Sequence, residues 1–65
     1  MQTATTHVGR RFHSTANGPT DTGIITEEQR LLPDGAEHPS GELFFHVTYD
    51  DGYTVWTHHS NVTLI

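Results

Sequence analysis

Tyr49-Asp50-Asp51-Gly52-Tyr53 brings two phenol rings and two carboxylates into one short stretch, and Trp56 follows close behind. Aromatic faces attract a cation, and a carboxylate adds charge complementarity, so these side chains could hold a cationic group. A structural role competes with that chemistry. Tyr49 and Tyr53 fall opposite each other if the segment is a hairpin, and such a cross-strand aromatic pair contributes roughly 0.2–1 kcal/mol by itself. The clamp is the favoured role, and the cation site is the minority one.

The chain also holds six histidines. His46 and His58 fall on one face of adjacent predicted strands, and His59 follows at once. Structural zinc sites usually take four ligands at regular spacing, often with cysteine. No such motif is present and there is no cysteine, so neither a metal nor another cofactor is expected. Ordinary surface or half-buried histidine is the favoured account, with pH sensitivity a softer alternative. Catalysis finds little support. Asn17-Gly18-Pro19 and Pro33-Asp34-Gly35 are turn chemistry rather than phosphate loops. Ser60 beside His59 makes no triad, because neighbours on an extended chain point apart. Asp50 and Asp51 would stay solvated at a turn tip. The chain is not expected to be an enzyme.

The elements that must position these residues read as strands. Residues 1–6 are polar and Thr-rich, and are expected to fray. Residues 7–13 form a first strand, with Val8 and Phe12 on one face. Residues 14–22 form a loop. Residues 23–32 are ambiguous. Ile24, Ile25 and Thr26 are β-branched, while Thr26 to Gln29 could open a helix as a capping box. Pro33 leaves such a helix too short, so a strand bent or bulged around Glu27-Glu28 is favoured. A surface loop over 33–41 precedes the hairpin over 42–58. His59 to Asn61 make a one-turn bend, and Val62 to Ile65 a last strand. Pairing the hairpin through its turn puts Phe45, Val47, Tyr49, Tyr53, Val55 and Thr57 on one face, the better core candidate. Phe44, His46, Thr48, Thr54, Trp56 and His58 share the other.

This order of five short strands is that of SH3-like small barrels. At Tyr49-Asp50-Asp51-Gly52-Tyr53 the chain resembles Tudor-type domains, which carry a similar turn between their third and fourth strands. Thr22-Gly23-Ile24-Ile25-Thr26 resembles the Gly-led second strand of Tudor and KOW-type barrels. The resemblance covers residues 7–65 in layout and the hairpin in motif. It implies an all-β, five-stranded SH3-like barrel over 7–65. It also implies that Tyr49, Asp51 and Tyr53 sit where Tudor domains build a methyl-cation cage. Such cages draw further aromatics from the first loop, and residues 14–22 contain none.

Composition narrows the function. The 65 residues allow one domain, and a chain this short is marginally stable. Hydrophobic content is 32%, concentrated after residue 23, which implies an ordered body behind a polar approach. Net charge is −5, with Arg10, Arg11 and Arg30 the only fixed cations. Nucleic-acid affinity comes mainly from Lys and Arg on phosphates, so DNA or RNA binding is demoted. No apolar run approaches a membrane span, and no secretory signal is visible, so a cytoplasmic location is expected. Met1 gives the expectation of a complete chain. The leading expectation is a non-enzymatic module that binds a protein partner. Its contact patch is Tyr49, Asp51, Tyr53 and Trp56, with Phe12 and His58 at the edges. The alternative is a stand-alone acidic inhibitor of phage type, with a nucleic-acid mimic as one form of it, that occupies a host factor through Glu27, Glu28, Asp34, Glu37 and Glu42. Self-association through the terminal strand stays open.

Overall fold

The computed structural model describes residues 7–65. The expectation for residues 1–6 lies outside the described residues. Five antiparallel strands form one sheet: β1 (Arg11–Ser14), β2 (Gly18–Leu31), β3 (Glu42–Tyr49), β4 (Thr54–His58) and β5 (Val62–Leu64). A one-turn 3₁₀ helix, His59–Asn61, joins β4 to β5, as the polar bend implied. The fold class is all-β. None of the described residues form a helix long and apolar enough to cross a membrane.

The strands lie in the order β4-β3-β2-β1-β5, which is compatible with an SH3-like fold. The expected closed barrel is not formed. β4 and β5 lie at opposite ends of the order and do not pair with each other, so the sheet stays open at both edges.

The hairpin has the register its turn dictated. Thr48 pairs with Thr54, Val47 with Val55 and His46 with Trp56. Gly52, at φ +93°, closes the turn, and its N–H donates to the Tyr49 carbonyl at 2.9 Å. Few residues other than glycine accept that φ at low cost.

β2 carries the expected bulge, one residue early. Ile25 pairs with Val47 and Glu27 with His46, which leaves Thr26 unpaired in the ladder. Thr26 is held there by its side chain. Its hydroxyl donates to the His46 carbonyl at 3.0 Å and lies 2.6 Å from His46 Nδ1, which then donates back. Beyond the bulge the faces switch, and Glu28 turns inward.

Two expectations about the N-terminal half need correction. The first strand begins at Arg11 rather than residue 7. Gly9, at φ +86°, breaks the extended run, so Val8 is exposed and does not share the buried face of Phe12. The loop also ends early, because β2 starts at Gly18. Ser14 Oγ accepts the Asn17 N–H at 3.1 Å, and Asn17 Nδ2 donates to Asp21 at 2.9 Å, which closes the turn in few residues. Pro19 is tolerated in a strand there because the β2–β3 ladder begins only at Gly23.

The core is small: Phe12, Ile25, Phe45 and Val47 are buried, with Leu43, Tyr49, Val55 and Val62 packed around them. Gly23 makes it possible. It lies opposite Phe12 on β1 and opposite Tyr49 on β3. With no side chain between them, the Phe12 and Tyr49 rings meet edge to face across β2, centroids 5.4 Å apart. A Cβ on Gly23 would stand 2.8 Å from Tyr49 Cα and 3.0 Å from the Phe12 ring, and closer still to the Thr48 carbonyl.

Gly23→Ala is therefore expected to destabilise the fold far more than Gly52→Ala, which meets open space and costs about 1 kcal/mol through its φ alone. Phe12→Ala should cost about 3–5 kcal/mol. Urea midpoints of the three variants test this. Equal losses for the two glycine variants would remove the role given to Gly23.

Candidate functional site

The structure distributes the six candidate binding residues over three places. Phe12 is fully buried, so it belongs to the core rather than to the edge of a contact patch. Tyr49, Tyr53 and Asp51 gather at the hairpin tip. Trp56 and His58 lie on the opposite face of the sheet, as the alternation along β4 requires.

At the tip, the Tyr49 and Tyr53 rings are stacked, with centroids 6.1 Å apart and planes 28° from parallel. Rings stacked on each other in this way clamp the hairpin. Asp51 accepts the Tyr53 N–H at 3.0 Å, so its carboxylate serves the turn. Asp50 ties the tip to the body. It accepts from the Thr22 hydroxyl and from Arg11 Nη2 at 3.0 Å. The Thr22 bond first, and Arg11 after it, hold the Asp50 carboxyl below the usual carboxylate range. Burial, then the nearby Asp21 and Tyr53, push the Tyr49 phenol up, which keeps it neutral.

The outer face of β2, β3 and β4 is different. One cross-strand row runs Glu27–His46–Trp56, and the next runs Gln29–Phe44–His58. His46 and Trp56 approach to 5.2 Å between centroids, and so do Phe44 and His58. Trp56 is 42% exposed and is not part of the core. Glu27 is exposed beside this face, and Glu42 accepts from His58 Nε2 at 3.1 Å at its other end. Phe44 and His46 were absent from the expected patch, although the hairpin alternation already put them beside Trp56. Glu27 joins them only because of the bulge.

Ser60, His58 and Glu42 form a hydrogen-bonded chain of the kind that activates a serine. The Ser60 hydroxyl lies 2.8 Å from His58 Nδ1. A second copy of the contact explains it otherwise. His38 Nδ1 accepts the Ser40 N–H at 3.1 Å and lies 2.7 Å from the Ser40 hydroxyl. His58 Nδ1 likewise accepts the Ser60 N–H, at 3.3 Å. Both are local His-X-Ser turns in which the imidazole caps the backbone, and among the described residues no carboxylate is bonded to His38. Other histidine contacts are structural too. His13 Nδ1 donates to the Ser14 carbonyl at 3.1 Å, and Glu28 accepts the His7 backbone N–H at 3.0 Å, with the His7 imidazole 3.4 Å from its second carboxylate oxygen. Among the described residues, no three His, Asp or Glu side chains are gathered as a metal site requires.

Compared with protein-family models, curated proteins and solved structures, the chain gives no match.

The contacts of Asp50 with Thr22 and Arg11 set one pH dependence. The Asp50 pKa is lowered in the fold, so its contribution is present above the ordinary carboxylate range and is lost as pH falls through the lowered value. Asp50→Asn should be less stable than the parent at pH 7, and the difference should shrink below about pH 4. Urea midpoints measured from pH 7 to pH 2 give the comparison. A difference that does not change with pH would mean that the carboxylate charge is not what ties the tip down.

Proposed function

We propose that this chain is a small non-enzymatic protein-binding module and that its docking surface is the outer face of β2, β3 and β4. The observation that carries the reading is Trp56. A tryptophan 42% exposed, beside Phe44, His46 and His58, is a large apolar group on a face that the core does not use. Aromatic residues of this kind dominate the energetics of protein interfaces. The SH3-like strand order supports the same class, since the Tudor-like turn of Tyr49 to Tyr53 lies in the corresponding hairpin. A methyl-cation cage at that turn is the weaker version, because the two tyrosines stack on each other and Asp51 is engaged by the Tyr53 N–H.

The acidic-inhibitor reading keeps part of its surface. Glu27, Asp34, Glu37 and Glu42 are exposed. Glu28 is withdrawn from it, with its side chain 8% exposed and in contact with His7.

Mutation separates the readings. Retention of partners from a lysate of the source cells is compared for the parent, Trp56→Ala, Tyr53→Ala and Glu27→Lys. Trp56→Ala should lose a partner by about 30-fold or more in affinity, as for an interface hot spot, while Tyr53→Ala retains it. A partner kept by Trp56→Ala and lost by Glu27→Lys would transfer the function to the acidic surface.

A further inference from the structure

We propose that the free edge of β4 takes up an extended, basic segment of a partner protein as a sixth strand, with its cationic side chains over Trp56 and between Glu27 and Glu42. This rests on the docking-face reading and names the chemistry of the occupant. Among the described residues, β4 pairs only with β3 and ends the sheet. The Tyr49 N–H donates to the Tyr53 carbonyl at 2.8 Å, which sets the alternation of the ladder. Thr54, Trp56 and His58 then fall in the non-hydrogen-bonded pairs with β3; the N–H and C=O groups of Thr54 and Trp56 point outward, while the His58 carbonyl belongs to the one-turn helix that it caps. Edge strands are usually blunted by a charge, a proline or a bulge. Thr54–His58 has no Lys, Arg, Asp, Glu or proline, and its register with β3 is unbroken.

The charges select the occupant. From Glu42 to Ile65 there is no Lys or Arg, while Glu42, Asp50 and Asp51 are acidic. Arg11 approaches the hairpin tip but is paired with Asp50. Asp51 stands before the start of β4, and Glu42 lies against His58 at its end. Glu27 continues the row of His46 and Trp56. A cation of the partner thus meets an indole on a face that also carries Glu27, beyond His46, and Glu42, beside His58. A second copy of this chain fits less well. It would bring the same negative charge, −5, against itself. Main-chain hydrogen bonds carry the affinity in strand addition whatever strand is added, so the charges beside the edge decide the occupant.

The sole tryptophan reports the test directly. The full chain is titrated with a capped peptide alternating lysine and threonine, and Trp56 fluorescence is followed. Saturable binding is expected. The same peptide with glutamate for lysine, or N-methylated at alternate amides, should each bind at least about tenfold more weakly, a difference of about 1.4 kcal/mol. Glu27→Gln with Glu42→Gln should weaken the lysine peptide and flatten its salt dependence. Equal binding of the N-methylated peptide, equal binding of the glutamate peptide, or no saturable signal overturns the proposal. So does a dimer in sedimentation that Trp56→Pro dissolves, since it would put a second copy on the edge. A partner whose capture depends on Trp56 but which the lysine peptide does not displace overturns the basic strand and leaves the docking face standing. Absence of any Trp56-dependent partner removes the docking face itself.

Discussion

The contact between Phe12 and Tyr49 across Gly23 is the constraint on which this sheet depends. The two rings come from β1 and β3, which β2 separates. Only a residue without a side chain on β2 lets them meet. Their contact brings β1 and the hairpin over the same core, where Phe12, Ile25, Phe45 and Val47 are the buried apolar residues. With so little apolar burial available to a short chain, one aromatic contact carries a large share of the cohesion.

The same economy explains the polar residues. The inner face holds the apolar side chains, and turns are closed by hydrogen bonds rather than by more core. His38 and His58 cap backbone N–H groups through Nδ1, Ser14 and Asp51 cap others, and Asp50 ties the hairpin tip to Arg11 and Thr22. The abundance of histidine is in this sense architectural. The exposed indole of Trp56 and the outward groups of Thr54 and Trp56 on β4 take no part in this scheme.

Local rules read much of this from the chain. The Asp50-Asp51-Gly52 turn determined the hairpin register, and register determined both faces, because side chains alternate strictly along a strand. The one-turn helix was legible in the polar run His59-Ser60-Asn61, and the bulge followed from choosing a strand over a helix that Pro33 leaves too short. What stayed hidden depended on distant residues. Phe12 is buried because Gly23 lies opposite it, and nothing near Phe12 signals that. Residues 18–22 are extended because Gly18 and Thr22, at either end of an irregular step, pair with Ser14 and His13 of β1, although Asn17-Gly18-Pro19 has the composition of a loop. Closure was expected from strand order alone, but order does not say whether the outermost strands reach each other. The outer face was half legible: Trp56 and His58 came from the alternation, whereas Glu27 needed the placement of the bulge to within one residue.

That placement has a further consequence. Glu27 and Glu28 are identical neighbours at the point where β2 changes face. Slipping the strand by one residue there would exchange one glutamate for the other, so side-chain polarity does not tell the two threadings apart at that row. Discrimination falls to Thr26, whose hydroxyl is clasped by the His46 imidazole and carbonyl. At this row the Thr–His clasp marks which of two like side chains faces inward, while Gly23 and Leu31 fix the strand on either side of it.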